Sequence, residues 1–175
     1  MGDDPGWPWE KRNRGEGPTS SLVALRIIFS SFVTGVTLFG LVSLLVVSGS
    51  KNEQADQSIV FPLILLRIAA VLMVIAAKLR KPLDATDEST LANSYRGKVI
   101  IRAAIAEGGA LLGIVGFIAT GQWWMAPAVL VITVVGFAST APTAAAVERE
   151  QQALIAQGSP LSLTAAMLNT PVARR

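Results

Sequence analysis

Residues 123–141 read WWMAPAVLVITVVGFASTA, nineteen positions without one charged side chain. A helix in water needs a polar face along most of its length, so this run has no stable place on the surface of a soluble domain. Three further apolar runs accompany it, at 21–48, 59–79 and 98–120. Each approaches or exceeds the roughly 20 residues that a bilayer's hydrocarbon core demands of one helix. Charged residues make up 15% of the chain, against about 25% in an ordinary soluble domain. They collect in the N-terminal tail, in two central loops and after Val147. The fold class that follows is all-α: a polytopic membrane protein with four transmembrane helices. The bundle occupies 21–145, with a flexible cytoplasmic tail at 1–20 and, at 146–175, a helical extension and tail, the helix of span four being expected to continue through TAAAVEREQQALIAQG into the cytoplasm. The first run is too long for the h-region of a cleaved signal, which spans roughly 7–15 residues.

Lys and Arg placement sets the direction of the spans. Lys11, Arg12, Arg14 and Arg26 flank the first span. Lys78, Arg80, Lys81, Arg96, Lys98 and Arg102 crowd the loop between the second and third, and Arg149, Arg174 and Arg175 follow the fourth. The loop between spans one and two offers only Lys51 beside Glu53 and Asp56. Both termini are therefore expected in the cytoplasm, with the chain a multi-pass protein of a cell (inner) membrane. Trp123 and Trp124 fall where an outer aromatic belt would stand. The formal charge of +3 and the pI of about 9.7 would suit nucleic acid. The basic residues flank apolar runs instead of forming one patch, so the expected partners are the lipid bilayer and other membrane chains, with no nucleic acid. Trp7 and Trp9 beside Lys11, Arg12 and Arg14 suit either an anionic leaflet or a solvated tail.

Cysteine and histidine are both absent. That removes disulfides, Cys or His zinc sites, iron–sulfur clusters, histidine-ligated haem and the Ser-His-Asp and Cys-His forms of nucleophilic catalysis. No catalytic constellation remains, so no enzyme, no cofactor and no metal site is expected. Asp84, Asp87 and Glu88 match no calcium-loop spacing; Ser89 or Thr90 is expected to cap the helix leading into span three.

Few ionisable side chains lie inside the spans. Arg26 and Arg102 stand about one turn from the cytoplasmic edge, where both can snorkel to the headgroups. Arg67 is the ninth residue of its span, roughly 12 Å from the outer edge at 1.5 Å per residue. Glu107 lies nine residues beyond Lys98, roughly 14 Å from the inner edge by the same rise. In a core of about 30 Å those depths nearly coincide, so Arg67 and Glu107 are expected to approach each other, directly or through a water, as an intramembrane charged pair. Two roles fit it: a clasp fixing the register of spans two and three, or a proton or ion site. Ala106, Gly109, Gly113, Gly116 and Thr120 recur at three- and four-residue steps along one stripe of span three. Gly109, Gly113 and Gly116 are the expected helix-packing residues, since small residues let backbones approach closely. Ser31, Gly35 and Gly40 on span one, and Gly136 and Thr140 on span four, offer matching faces.

YRGKVIIRAAIAEGGALLGIVGFIATG, which contains span three, resembles the third helix of small, uncharacterised four-helix bacterial integral membrane proteins. The likeness rests on a Tyr, an Arg, Ala-Glu-Gly-x-Ala-Leu and an apolar finish, and implies no activity. The shorter AIAEGGALLGIV resembles the ion-carrying helix of ATP synthase rotor-ring c subunits. That likeness implies a carboxylate exchanging a proton or sodium ion, a role carried by Glu107 alone. The expected function is that of a small non-enzymatic subunit or accessory protein, a homo-oligomer or a component beside other membrane chains. The alternative is a proton- or ion-translocating component using Glu107.

Overall fold

The computed structural model describes residues 21–49, 59–79 and 82–169, and all regular structure among them is helical. Six helices follow in order: α1 (Ser21–Gly49), α2 (Val60–Lys78), α3 (Glu88–Thr120), α4 (Met125–Thr140), α5 (Ala144–Ala156) and α6 (Leu163–Asn169). By length and hydropathy α1, α2 and α3 are each able to cross a membrane, and α4 taken together with α5 gives up to a fourth span. The tails at 1–20 and 170–175, and Lys51, Glu53, Asp56, Arg80 and Lys81 of the loops, lie outside the described residues.

Two differences from the sequence expectation concern where helices start and stop. α3 begins at Glu88, ten residues before the apolar run. Asp87 starts it, not Ser89 or Thr90: the Thr90 backbone N–H donates to Asp87 Oδ1 at 2.9 Å. The Ser89 and Thr90 hydroxyls donate to the same carboxylate at 2.7 and 2.8 Å. A carboxylate at this position satisfies an orphan amide and complements the helix dipole. The second difference lies beyond α4, where the helix does not run on unbroken. It stops at Thr140 and restarts at Ala144. Pro142 brings no N–H and biases Ala141 away from helical geometry. Thr143 then caps α5, its hydroxyl oxygen accepting from the Ala146 N–H at 3.2 Å.

The turn between α3 and α4 needs its glycine. Gly121 has φ 62°, the left-handed region that closes a helix. Its N–H reaches the Phe117 carbonyl at 2.9 Å. Trp123 packs edge-on against Phe117 at 6.1 Å, and both Trp123 and Trp124 stay exposed.

The described residues divide into two compact units. The span unit comprises Ser31–Leu79 and Ile101–Thr140, and the flanking unit the described parts of Met1–Ser30, Arg80–Ile100 and Ala141–Arg175. The flanking unit has a core of its own, with Leu25, Leu91, Tyr95, Val147, Leu163 and Met167 buried together. Val147 and Leu154, seven residues apart, put one face of α5 into that core while Glu148 and Arg149 stay exposed. Each fully buried aliphatic side chain there stabilises the unit by about 1.5–3 kcal/mol. Lys98, only 8% exposed, pairs with Glu150 at 2.7 Å. The Gln151 side chain accepts from the Leu163 N–H and donates to the Leu161 carbonyl, holding the start of α6.

Candidate functional site

Small residues decide how the helices of the span unit meet. A Cβ placed on Gly109 would lie 3.1 Å from the Ala69 carbonyl oxygen and 3.3 Å from Leu72 Cβ, both on α2. One on Gly113 would lie 2.9 Å from Val129 Cγ2 on α4. One on Gly116 would meet Leu65 on α2 at 3.0 Å and Met125 on α4 at 3.1 Å. Gly136 on α4 stands directly against the Met73 sulfur. Gly109, Gly113 and Gly116 thus face α2 and α4 at distances that leave no room for a side chain, whereas Gly97 and Gly108 of the same helix have nothing within 4 Å.

This register fixes where the two charges go, and it keeps them apart. Arg67 is exposed; Glu107 is half-buried, with Oε1 4.0 Å from where a Gly35 Cβ would stand on α1. Among the described residues neither side chain has a hydrogen-bond or salt-bridge partner. The expected pair is therefore not formed, for three reasons. Ala69 faces α3, and Arg67 lies two residues earlier, about 200° around its helix at 3.6 residues per turn. Glu107 stands in the same relation to Gly109. The contacts of Gly109 with Ala69 and of Gly116 with Leu65 set Glu107 level with about residue 73. That is some six residues, roughly 9 Å at 1.5 Å per residue, from Arg67. Finally, side chains lean toward their helix N-terminus, and α2 and α3 run antiparallel, so the two lean away from each other.

The other two arginines do not reach outward as expected. Arg26 is 1% exposed inside the flanking unit, with Nε directed at the Pro142 carbonyl at 3.4 Å. In the span unit Arg102 Nε donates to the Ala76 carbonyl at 2.7 Å and Nη2 to that of Ala77 at 2.8 Å. Nη2 also donates to Ser139 O at 3.3 Å. These are carbonyls of the last turns of α2 and α4, which have no partner within their own helices. A cation there is favoured by both helix dipoles. Sequence reasoning missed this role because backbone acceptors leave no mark on residue identity. The break at Ala141, Pro142 and Thr143 was the one available hint.

An apolar groove of about 520 Å³ lies between α1 and α4 over α3, lined by Val36, Gly40, Leu44, Phe117, Leu130 and Val134 among others. The hydroxyls of Thr37 and Ser43 on its wall are bonded to carbonyls four residues back, at 2.8 and 2.6 Å.

Helices of membrane-crossing length and hydropathy, all-helical structure and apolar outer faces define the class: a multi-pass helical membrane protein. No family model matches the chain, and no curated protein or solved structure matches it either.

Proposed function

We propose that the chain is a small, non-enzymatic subunit or accessory protein of a cell (inner) membrane assembly, working through helix–helix contacts. Arg67 carries this reading. An arginine at the centre of a spanning helix costs about 2.5–3.5 kcal/mol on insertion scales, and nothing in the described chain offsets that cost. A partner chain would. The Lys and Arg distribution supports four spans with both termini cytoplasmic. The test is extraction of the tagged full chain from its native membranes in mild detergent. A second membrane chain, or a defined homo-oligomer, should accompany it in fixed proportion. Recovery as a monomer with lipid alone would sink the reading.

A second reading is supported by Glu107, which has no hydrogen-bond or salt-bridge partner among the described residues and turns toward Gly35. There the carboxylate binds and releases a proton or small cation during transport. Glu107→Gln should abolish a proton- or cation-dependent flux into vesicles while leaving assembly intact; an unchanged flux rejects it.

A further inference from the structure

α2 has two faces. Pro62, Ala69, Met73 and Ala76 are buried, on the side where Gly109 and Gly116 of α3 and Gly136 of α4 make contact. On the other side Val60, Ile64, Arg67, Val71, Val74 and Lys78 recur at alternating four- and three-residue steps, and every one is exposed. They are one stripe of a broader exposed face that also holds Phe61, Leu63, Ile68 and Ile75, and their spacing is one that the seam of a left-handed helix pair can use. Four of the six positions are β-branched, with side chains already restricted at χ1, so little freedom is lost on docking. Arg67 stands in the middle of this seam, seven residues from Val60.

The charge selects the occupant. A second copy docked by the same face around a two-fold axis would bring Arg67 against its own equivalent, in a medium where like charges repel strongly. A helix with an acidic side chain at that level instead gives a charge-assisted, bidentate contact. We propose that this face of α2 docks a transmembrane helix of a different chain that carries an Asp or Glu level with Arg67. The proposal rests on the subunit reading and specifies its interface.

The test uses the full-length chain in its native membranes with a photoreactive residue at Val71, and in a separate preparation at Leu130 on the exposed side of α4. Adducts are sequenced by mass spectrometry and scored per inserted chain. The expected adduct at Val71 joins an apolar span containing Asp or Glu. Arg67→Lys should retain it, and Arg67→Glu should lower its yield about tenfold or more, because like charges across an interface suppress pairing. Changing the partner's carboxylate to Lys should restore the yield with Arg67→Glu. An adduct between two copies, adducts to lipid alone, or a yield indifferent to Arg67→Glu each overturn the proposal. Lipid at Val71 with a protein adduct at Leu130 removes this face and leaves the subunit reading standing. Lipid at both positions, with recovery of the chain as a monomer, removes both.

Discussion

At the scale of single residues, glycine positions separate into those with a neighbour and those without. Gly109 faces a backbone carbonyl, which cannot rotate away, and Gly113 faces Val129, whose side chain is stiff in a helix. Gly40 has nothing within 4 Å. Gly109→Ala and Gly113→Ala are therefore expected to cost about 1–3 kcal/mol as overpacking substitutions. Gly40→Ala is expected to be neutral or to gain up to about 1 kcal/mol from helix propensity. Unfolding in mixed micelles checks the ranking, and equal effects at all three positions would refute it. The same scale shows why the separation of Arg67 from Glu107 was not legible in the sequence. Distance from the end of a span gives a residue's depth and leaves its azimuth open. A step of two residues, from Ala69 to Arg67 and from Gly109 to Glu107, turns each side chain to the far side of its helix.

At the scale of elements, helix existence was legible and helix ends were not. Hydropathy averages over some twenty residues and survives local error, whereas a cap depends on one side chain. Thr90 and Ser89 were plausible caps by type, yet both are donors to Asp87. The Ser89 hydroxyl, the Thr90 amide and the Thr90 hydroxyl together hold the Asp87 carboxyl at about 2, below its ordinary 3.8. The folded value lies below the unfolded one. The contribution to stability is thus complete above about pH 4 and is lost as pH falls toward 2. Asp87→Asn, which still caps but does not ionise, should flatten the pH dependence in that window. Thermal unfolding of both proteins from about pH 5 to pH 2 is the measurement, and parallel curves throughout would count against the cap. The break at Pro142 has the same lesson in reverse: Ala-Pro-Thr carries its own stop and start, and apolar content on both sides obscured it.

At the scale of the whole molecule, composition determines the class. Clustered charge and four apolar runs led to a helical membrane protein, and the structure has three helices able to span, or four with α4 and α5 joined. Sidedness has a direct check, because the chain has no cysteine of its own. Cysteines introduced singly at Asp4 and Ala173 should react with an impermeant reagent from the cytoplasmic side only, and one at Gln122 from the opposite side only. Asp4 and Ala173 labelling from different sides would refute the even number of spans. The tie made by Arg102 also has a place in time. Its acceptors at Ala76 and Ala77 leave the ribosome before it does, and Ser139 leaves well after. A nascent chain that has inserted α3 can already fasten the end of α2, yet the third bond waits until α4 is made. The making of α4 is thereby written into the hydrogen bonding of one guanidinium, and a chain truncated before Ser139 would carry that arginine without the acceptor of its third bond.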